Sequence, residues 1–419
     1  MKLNRNFDVV KNRKAEVSNE VISAVQAILA DVRCNGDKAV LAYCEKFDGF
    51  IGRNLLVTQK EIRQAIQNVG KDFVRILRRA AAEITEFHKN QISKAWEIKK
   101  PNGAVLGQIV RPIERVGIYV PGGTAAYPST VLMNAIPAVL AGVKEIIMLT
   151  PAKADGKISD AILAAANVSG VKTIYKVGGA HAIAAVAYGT ATIPKVDKIV
   201  GPGNIYVATA KRFVYGEVDI DMVAGPSEVL IIADENANPK YIAADLISQA
   251  EHDKQASCIV VTTSERLIIE TEKEIEKQLE YLPRTEIIKE SLQNFGAAIL
   301  VTSIDKAFEI SNDIAPEHLE ILLENAGLYL DKVQNAGSVF LGENTPEPLG
   351  DYMSGTNHVL PTNGTAKFYS ALGVYDFIKF SSYSYYPKNA LAELKDDVIK
   401  FAEKEGLYAH ANAIRVRFD

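Results

Sequence analysis

At 419 residues the chain is long enough for roughly two to four domains with real cores. Hydrophobic residues make up 48%, charged residues 23%, and the formal net charge is -4, which removes the basic surplus of a nucleic-acid binder and the polarity of a disordered chain. No apolar run is long and clean enough to span a bilayer, and the N-terminus MKLNRNFDVVKNRKAEVSNE lacks the apolar core of a signal peptide.

Residues 18–33 (SNEVISAVQAILADVR) place apolar side chains at helical spacing behind a Ser/Asn cap. A second helix starts at VTQKEI, where Thr58 and Glu61 have capping-box spacing, and runs past Phe87. His88, at its end, reads as a partly exposed helix-surface histidine. From residue 117, GIYVPGGTAAYPSTVLMNAIPAVLAG passes from strand through turn into helix. GVKEIIMLTP (142–151), GVKTIYKVGG (170–179) and KVDKIVGPGN (195–204) then repeat a short strand after each helical stretch, the rhythm of βα units in a parallel sheet.

A second α/β series follows. EVLIIAD (228–234) is a strand, and Asn238 caps a helix with Pro239 at its first position. SCIVVTTS (257–264) is the next strand, followed by a charged helix near 264–281 and strands at 297–302 and 337–342. Between them and the C-terminal helices lies GENTPEPLGDYMSGTNHVLPTNGTAKF, too long and too rich in Gly, Pro and Asn for regular structure.

Several constellations could carry chemistry. Gln249 and His252, three apart at a helix end, share one face. Alone they read more readily as a helix-end polar pair than as a metal site. Joined by Asp351 and one more of His318, His358 and His410, they would make a mixed N/O zinc site. Glu317 and His318 set an acid beside an imidazole after Pro316, a pair suited to proton transfer or to a capped turn. The turns VPGGT (120–124), VGGAHA (177–182) and GPGN (201–204) end predicted strands, where open α/β sheets bind ligands, though none is a strict GxGxxG. Ser227, in AGPSEVL, could donate to a small ligand. Cys34, Cys44 and Cys258 show no CxxC spacing and no evident His or Lys partner. That argues against a disulfide framework, a cysteine-rich zinc site and a thiol nucleophile, and it suits a reducing cytoplasm.

The ordered set PGGTAAYPSTVLM, VGGAHAIAA, GPGNIYV, DMVAGPSEVLIIAD, DLISQAEH, APEHLEI, GDYMSGTNHVLPT and EGLYAHANAI resembles the histidinol dehydrogenase family over nearly the whole chain. The resemblance implies an α/β fold of two incomplete Rossmann-like parallel-sheet domains plus two small, mainly helical terminal domains. It implies a four-electron, NAD-dependent oxidation of L-histidinol to L-histidine through bound L-histidinaldehyde, the last two steps of histidine biosynthesis. One zinc per subunit would sit on Gln249, His252, Asp351 and His410, holding the substrate's imidazole and amino nitrogens. His318 is the implied base and Glu317 the implied activator of water. Ser227, His358 and Glu405 would join the zinc ligands and His318 in contacting substrate, and Tyr119 and Asn204 would hold NAD. His181 stands where the family pattern carries Gln as a further NAD contact; imidazole cannot reproduce an amide's paired geometry.

The resemblance also implies a cytoplasmic homodimer with shared active sites, His410 and Glu405 coming from the other subunit, and no nucleic-acid or membrane partner. The expected partition is an arm at 1–17, a first Rossmann-like domain at 18–119 with 229–370, a second, NAD-binding, at 120–228, and small C-terminal domains at 371–419. A zinc hydrolase, or a dehydrogenase of another small polar alcohol, uses the same residues differently.

Overall fold

The computed structural model describes residues 2–6, 17–122 and 126–419. Most of the expected N-terminal arm and the centre of the VPGGT turn lie outside the described residues. Helices α1 (Asn19–Asn35), α2 (Asp37–Tyr43) and α3 (Gln59–Lys89) open the chain, with a π-helical turn at Cys44–Asp48 after α2. The Thr58–Glu61 capping box at the start of α3 is present in both directions. His88 differs from expectation. It is fully buried, because the long loop beyond residue 353 covers the end of α3, and its Nδ1 meets the Ile84 carbonyl at 2.8 Å.

Strands β1 (Trp96–Lys99) and β2 (Val105–Pro112) form an antiparallel pair across Pro101-Asn102-Gly103, a turn signal in the sequence. Then come β3 (Arg115–Tyr119), α4 (Pro128–Ala141), β4 (Glu145–Leu149), α5 (Asp160–Ser169), β5 (Thr173–Tyr175), α6 (Gly179–Tyr188), β6 (Lys198–Val200), α7 (Ile205–Val214) and β7 (Asp219–Ile220). The strands pair in parallel in the order β5-β4-β3-β6-β7. The second series is β8 (Glu228–Ala233), α8 (Pro239–Ala250), β9 (Ser257–Thr262), α9 (Glu265–Leu279), α10 (Thr285–Phe295), β10 (Gly296–Leu300), α11 (Ile304–Ile314), β11 (His318–Leu322), β12 (Ser338–Leu341) and the short α12 (Glu347–Tyr352). Its strands are also parallel, in the order β10-β9-β8-β11-β12. The chain closes with β13 (Ile378–Tyr385), α13 (Lys388–Lys404) and α14 (Tyr408–Arg415). Both five-stranded sheets reverse strand order beside their first strand, at β3/β6 and β8/β11, and so each has a switch point.

The second sheet is covered on both faces, which is why its strands read as continuous apolar runs. Val229, Ile231 and Ala233 of β8 pack with α8 and α9, while Leu230 and Ile232 pack with α11. Each such aliphatic side chain removed from water contributes about 1.5–3 kcal/mol. Leu3 adds to this core, and Asn4 bridges Ala297 beside β10.

Buried side chains of α1 and α3, among them Val25, Ile28, Leu77 and Ile84, belong to one cluster with Val116, Ile118 and Ile147 of the first sheet. The expected partition joined 18–119 to 229–370; the packing instead ties these helices to the 115–220 sheet. Two compact units result: the described residues of Met1–Gln91 with Ile113–Phe377, and Ile92–Pro112 with Ile378–Asp419. The smaller unit was expected to be mainly helical. It contains a three-stranded antiparallel sheet, β1-β2-β13, alongside α13 and α14. Among the described residues no helix is long and apolar enough to cross a membrane.

One buried ion pair fixes the GPGN turn. Lys211 of α7 pairs with Asp221, and its Nζ also donates to the Gly201 carbonyl at 2.9 Å. Asp221 Oδ2 accepts from Gly201 N–H at 2.7 Å. Gly201 has φ +108°, and a Cβ there would stand 2.2 Å from the Tyr119 carbonyl oxygen, so only glycine lets this turn approach β3. Removing one partner leaves the other charge buried and alone. Asp221→Ala should therefore lower stability by about 3–5 kcal/mol, read as a shift of the denaturant midpoint; a shift of only a few tenths would contradict this account.

Candidate functional site

The largest gathering of titratable groups lies at the N-terminal edge of the second sheet. His318 is the first residue of β11, paired in register with Val229 of β8. Its Nδ1 lies 2.9 Å from the Glu228 carbonyl oxygen. A carbonyl only accepts, so Nδ1 carries the proton and Nε2 is a bare acceptor. Nε2 is buried without a hydrogen-bond partner. Burial holds the imidazole down to about 4, against the upward pull of Asp351. Glu317, also buried, accepts the Glu228 N–H at Oε2, 2.8 Å. Desolvation raises its carboxyl well above the usual range, and the charges of Glu228, Asp351 and Glu347 add to this.

The helices bring the other members. Asn238 and Pro239 start α8 as the sequence indicates, and the helix ends at Gln249 and Ala250. Gln249 is 0% exposed, and neither its Oε1 nor its Nε2 has a protein partner. Each orphaned polar atom at such depth costs about 1–3 kcal/mol unless a ligand satisfies it. His252, one turn on, lies with Glu347 and Asp351 so that one ligand atom from each falls within 4.8 Å of the others. Asp351 Oδ1 is 3.4 Å from His358 Nδ1. Burial raises the Asp351 carboxyl, but the imidazoles of His358, His318 and His252 outweigh it and hold it down to about 2. His358 Nε2 reaches Thr130 Oγ1 of α4 at 3.4 Å, linking this cluster to the first sheet's layer.

Glu347 is the functional residue that sequence reasoning missed. It stands four residues before Asp351 on α12, the spacing that puts both on one face. Burial, then the charge and hydrogen bond of Asp351, push it up to about 9. Behind it, Glu320 Oε1 accepts the Glu347 N–H at 2.8 Å. Glu320 shares a hydrogen bond with Asp245, whose carboxyl burial raises to about 6. An imidazole and two carboxylates around one point, with the unsatisfied amide of Gln249 at the same helix end as His252, are donor types that suit a borderline divalent ion such as zinc. Ser227 precedes β8, its carbonyl accepting from Ser257 N–H. Glu405 and His410 belong to the smaller unit, exposed at the end of α13 and on α14; the cluster itself is drawn from the larger unit.

A second locus lies at the C-terminal edge of the first sheet. Tyr119 ends β3, and its buried hydroxyl accepts the Gly179 N–H at 3.0 Å. Burial raises this phenol to about 12. Asn204 caps α7, its Oδ1 accepting from Tyr206 and Val207 N–H. His181, in the first turn of α6, is buried, and desolvation holds it down to about 4. Cys44 has a partner that the sequence concealed: its Sγ lies 3.6 Å from His181 Nε2, across 137 residues of chain. Burial pushes the Cys44 thiol up to about 12, so it is still no nucleophile.

The family model described as histidinol dehydrogenase matches residues 11–418. The chain is 62% identical to the histidinol dehydrogenase of Lactococcus lactis subsp. lactis over 420 aligned positions, covering 100% of this chain and 97% of that one. It is 57% identical to the histidinol dehydrogenase of Clostridium acetobutylicum, covering 98% and 96%. Among solved structures, the histidinol dehydrogenase of Elizabethkingia anophelis superposes with a TM-score of 0.95 at 42% identity, covering 99% of this chain and 98% of that one.

If the cluster holds a divalent ion with Glu347 at its margin, Glu347→Gln should weaken zinc retention about 10–100-fold, the usual cost of disturbing a group behind a ligand. Competition with a chromophoric chelator measures this. Unchanged retention would remove Glu347 from the site.

Proposed function

The chain belongs to the histidinol dehydrogenase family, an NAD-dependent oxidoreductase of histidine biosynthesis, and on that premise we propose how its residues divide the work. L-Histidinol and water react with two NAD molecules to give L-histidine, two NADH and protons, through a bound aldehyde. The observation that carries the assignment is the bare, buried, unpartnered Nε2 of His318, fixed in that tautomer by the Glu228 carbonyl. In the first oxidation this nitrogen takes the alcohol proton as hydride leaves the carbinol carbon. In the second, Glu317 takes a proton from the water that adds to the aldehyde, and the diol so formed loses the second hydride.

Zinc, held by Gln249, His252, Asp351 and His410, would supply a positive charge that orients the substrate's imidazole and amino nitrogens. The orphaned amide of Gln249 and the convergence of His252 with Asp351 support this ligand set. A nearby cation also lowers the pKa of carboxyls facing it, which is what Glu317 needs in order to act as a base. Ser227 and His358 would contact the substrate. Tyr119, His181 and Asn204 would hold NAD at the first sheet's C-terminal edge. A hydrolase reading leaves that second locus without a purpose.

His410 and Glu405 would be delivered by a second copy of the chain. In support, the unit that carries them exposes Phe401, Leu407, Tyr408 and Tyr385, the aromatic and apolar composition of an interface core. Cysteine is scarce and Cys34, Cys44 and Cys258 form no disulfide with one another, which suits a cytoplasmic enzyme.

Purified protein given L-histidinol, NAD and zinc should yield two NADH per substrate; none, with zinc bound, would end the proposal. His318→Asn should slow the first oxidation by about two to four orders of magnitude. Glu317→Gln should instead leave the first hydride transfer largely intact and stall the second, visible as a burst of a single NADH. Mixing inactive His318→Asn and His410→Ala proteins should restore activity, because each mixed dimer contains one intact shared site. No recovery on subunit exchange would place His410 in its own chain's site or in none.

A further inference from the structure

A second cluster of ligating side chains lies outside the Gln249–His252–Asp351 centre, and it shares only His181 with the residues placed at NAD. Cys44 and Asp48 are the first and last residues of the π-helical turn that follows α2. Such turns sacrifice regular hydrogen bonding and recur at functional sites. His181 approaches from α6, and one ligand atom from each of the three residues lies within 4.8 Å of the others.

The protein does not satisfy this cluster by itself. Asp48 Oδ2 is buried without a partner, and His181, whose Nε2 faces Cys44 Sγ, is only 1% exposed. The rings of Tyr43 and Phe47, centred 5.7 and 6.0 Å from the imidazole, give it an aromatic wall. The separation of Cys44 Sγ and His181 Nε2 is 3.6 Å. Sulfur and nitrogen ligands on one tetrahedral zinc, at about 2.3 and 2.0–2.1 Å, stand about 3.6 Å apart.

We propose that Cys44, Asp48 and His181 form a second divalent-metal site, distinct from the Gln249–His252–Asp351 centre, that takes a thiophilic ion of the zinc or cobalt class. Thiolate with imidazole and carboxylate favours such ions over magnesium or calcium. Binding forms a metal–sulfur bond as the thiol proton leaves to solvent, and no electron changes hands. Three protein ligands leave a fourth position for water or for a donor atom of a bound molecule. The occupied site would hold the His181 imidazole in one orientation. The geometry stands whether or not His181 touches NAD. The competing account of the short Sγ···Nε2 distance is an S–H···N hydrogen bond with no ion.

Cobalt(II) separates the two accounts, because the centre at Gln249 contains no sulfur ligand. Titrating cobalt into the full-length enzyme already loaded with one zinc per subunit should produce a near-ultraviolet thiolate-to-cobalt charge-transfer band that saturates at one further equivalent per subunit. The band should vanish in Cys44→Ser and in His181→Gln and persist in Cys34→Ser, with the far-ultraviolet circular dichroism of each variant unchanged. His181→Gln keeps the thiol and introduces the residue of the family pattern, so it decides the matter even where Cys44→Ser fails to fold. Absence of the band in the unsubstituted enzyme, or its survival in folded His181→Gln, would overturn the proposal.

Discussion

Much of the larger unit's chemistry depends on one hydrogen bond, from His318 Nδ1 to the Glu228 carbonyl. It is available because β8 and β11 are neighbours in a parallel sheet, in a register that sets His318 opposite Val229. Slipping the register by one residue would turn the imidazole to the other face of the sheet. The same backbone residue donates its N–H to Glu317. One peptide segment thus fixes the tautomer of a buried imidazole and the position of a buried carboxyl. Sheet register, a property of the whole fold, sets the geometry of this pair.

Around that bond the protein buries carboxyls that repel each other: Glu317, Glu320, Glu347, Asp351 and Asp245. Desolvation leads in each case, and in most of them neighbouring negative charges reinforce it. Asp351 alone is pulled down, by three imidazoles. Such a cluster is costly to build for stability, and hydrophobic packing would serve the core better. Its retention is intelligible if a cation belongs there, since one divalent charge relieves several of these repulsions together.

The α/β architecture was legible in the sequence. Periodicity marked most strands from Arg115 to Leu341 but not β7 or β11, the strand that begins at His318, and local signals such as the Thr58–Glu61 box and the Asn238-Pro239 cap fall where they were read. What periodicity cannot carry is which surfaces meet. His88 lies at the polar-looking end of a helix, and its burial depends on chain some 270 residues away, at Asn357. Cys44 and His181 are likewise strangers in sequence. The β1–β2 hairpin went unread although Pro-Asn-Gly lies between its strands, and its third strand comes from residue 378 onward. In the candidate site, Gln249, His252, Glu317, His318 and Asp351 were readable as residue types. Glu347 was passed over because its Gly/Pro-rich segment read as an irregular loop, with no helix to set it on one face with Asp351.

The two loci occupy opposite edges of their sheets, and helix electrostatics gives a reason. Most strands in these layers are followed by a helix running back, so the C-terminal edge of a sheet collects helix N-termini and the N-terminal edge collects helix C-termini. Tyr119, Gly179 and Asn204 lie where α6 and α7 begin, with the partial positive charge that suits phosphate oxygens. Gln249 and His252 lie where α8 ends, with partial negative charge suited to a cation. Ligands of open α/β sheets usually take the C-terminal edge; a cation-dependent centre gains from the other. His358, touching Asp351 on one side and Thr130 on the other, spans the two layers. Opposite sheet edges thus supply an anion-binding and a cation-binding environment within one unit, which is the division of labour that a metal-assisted oxidation with a dinucleotide requires.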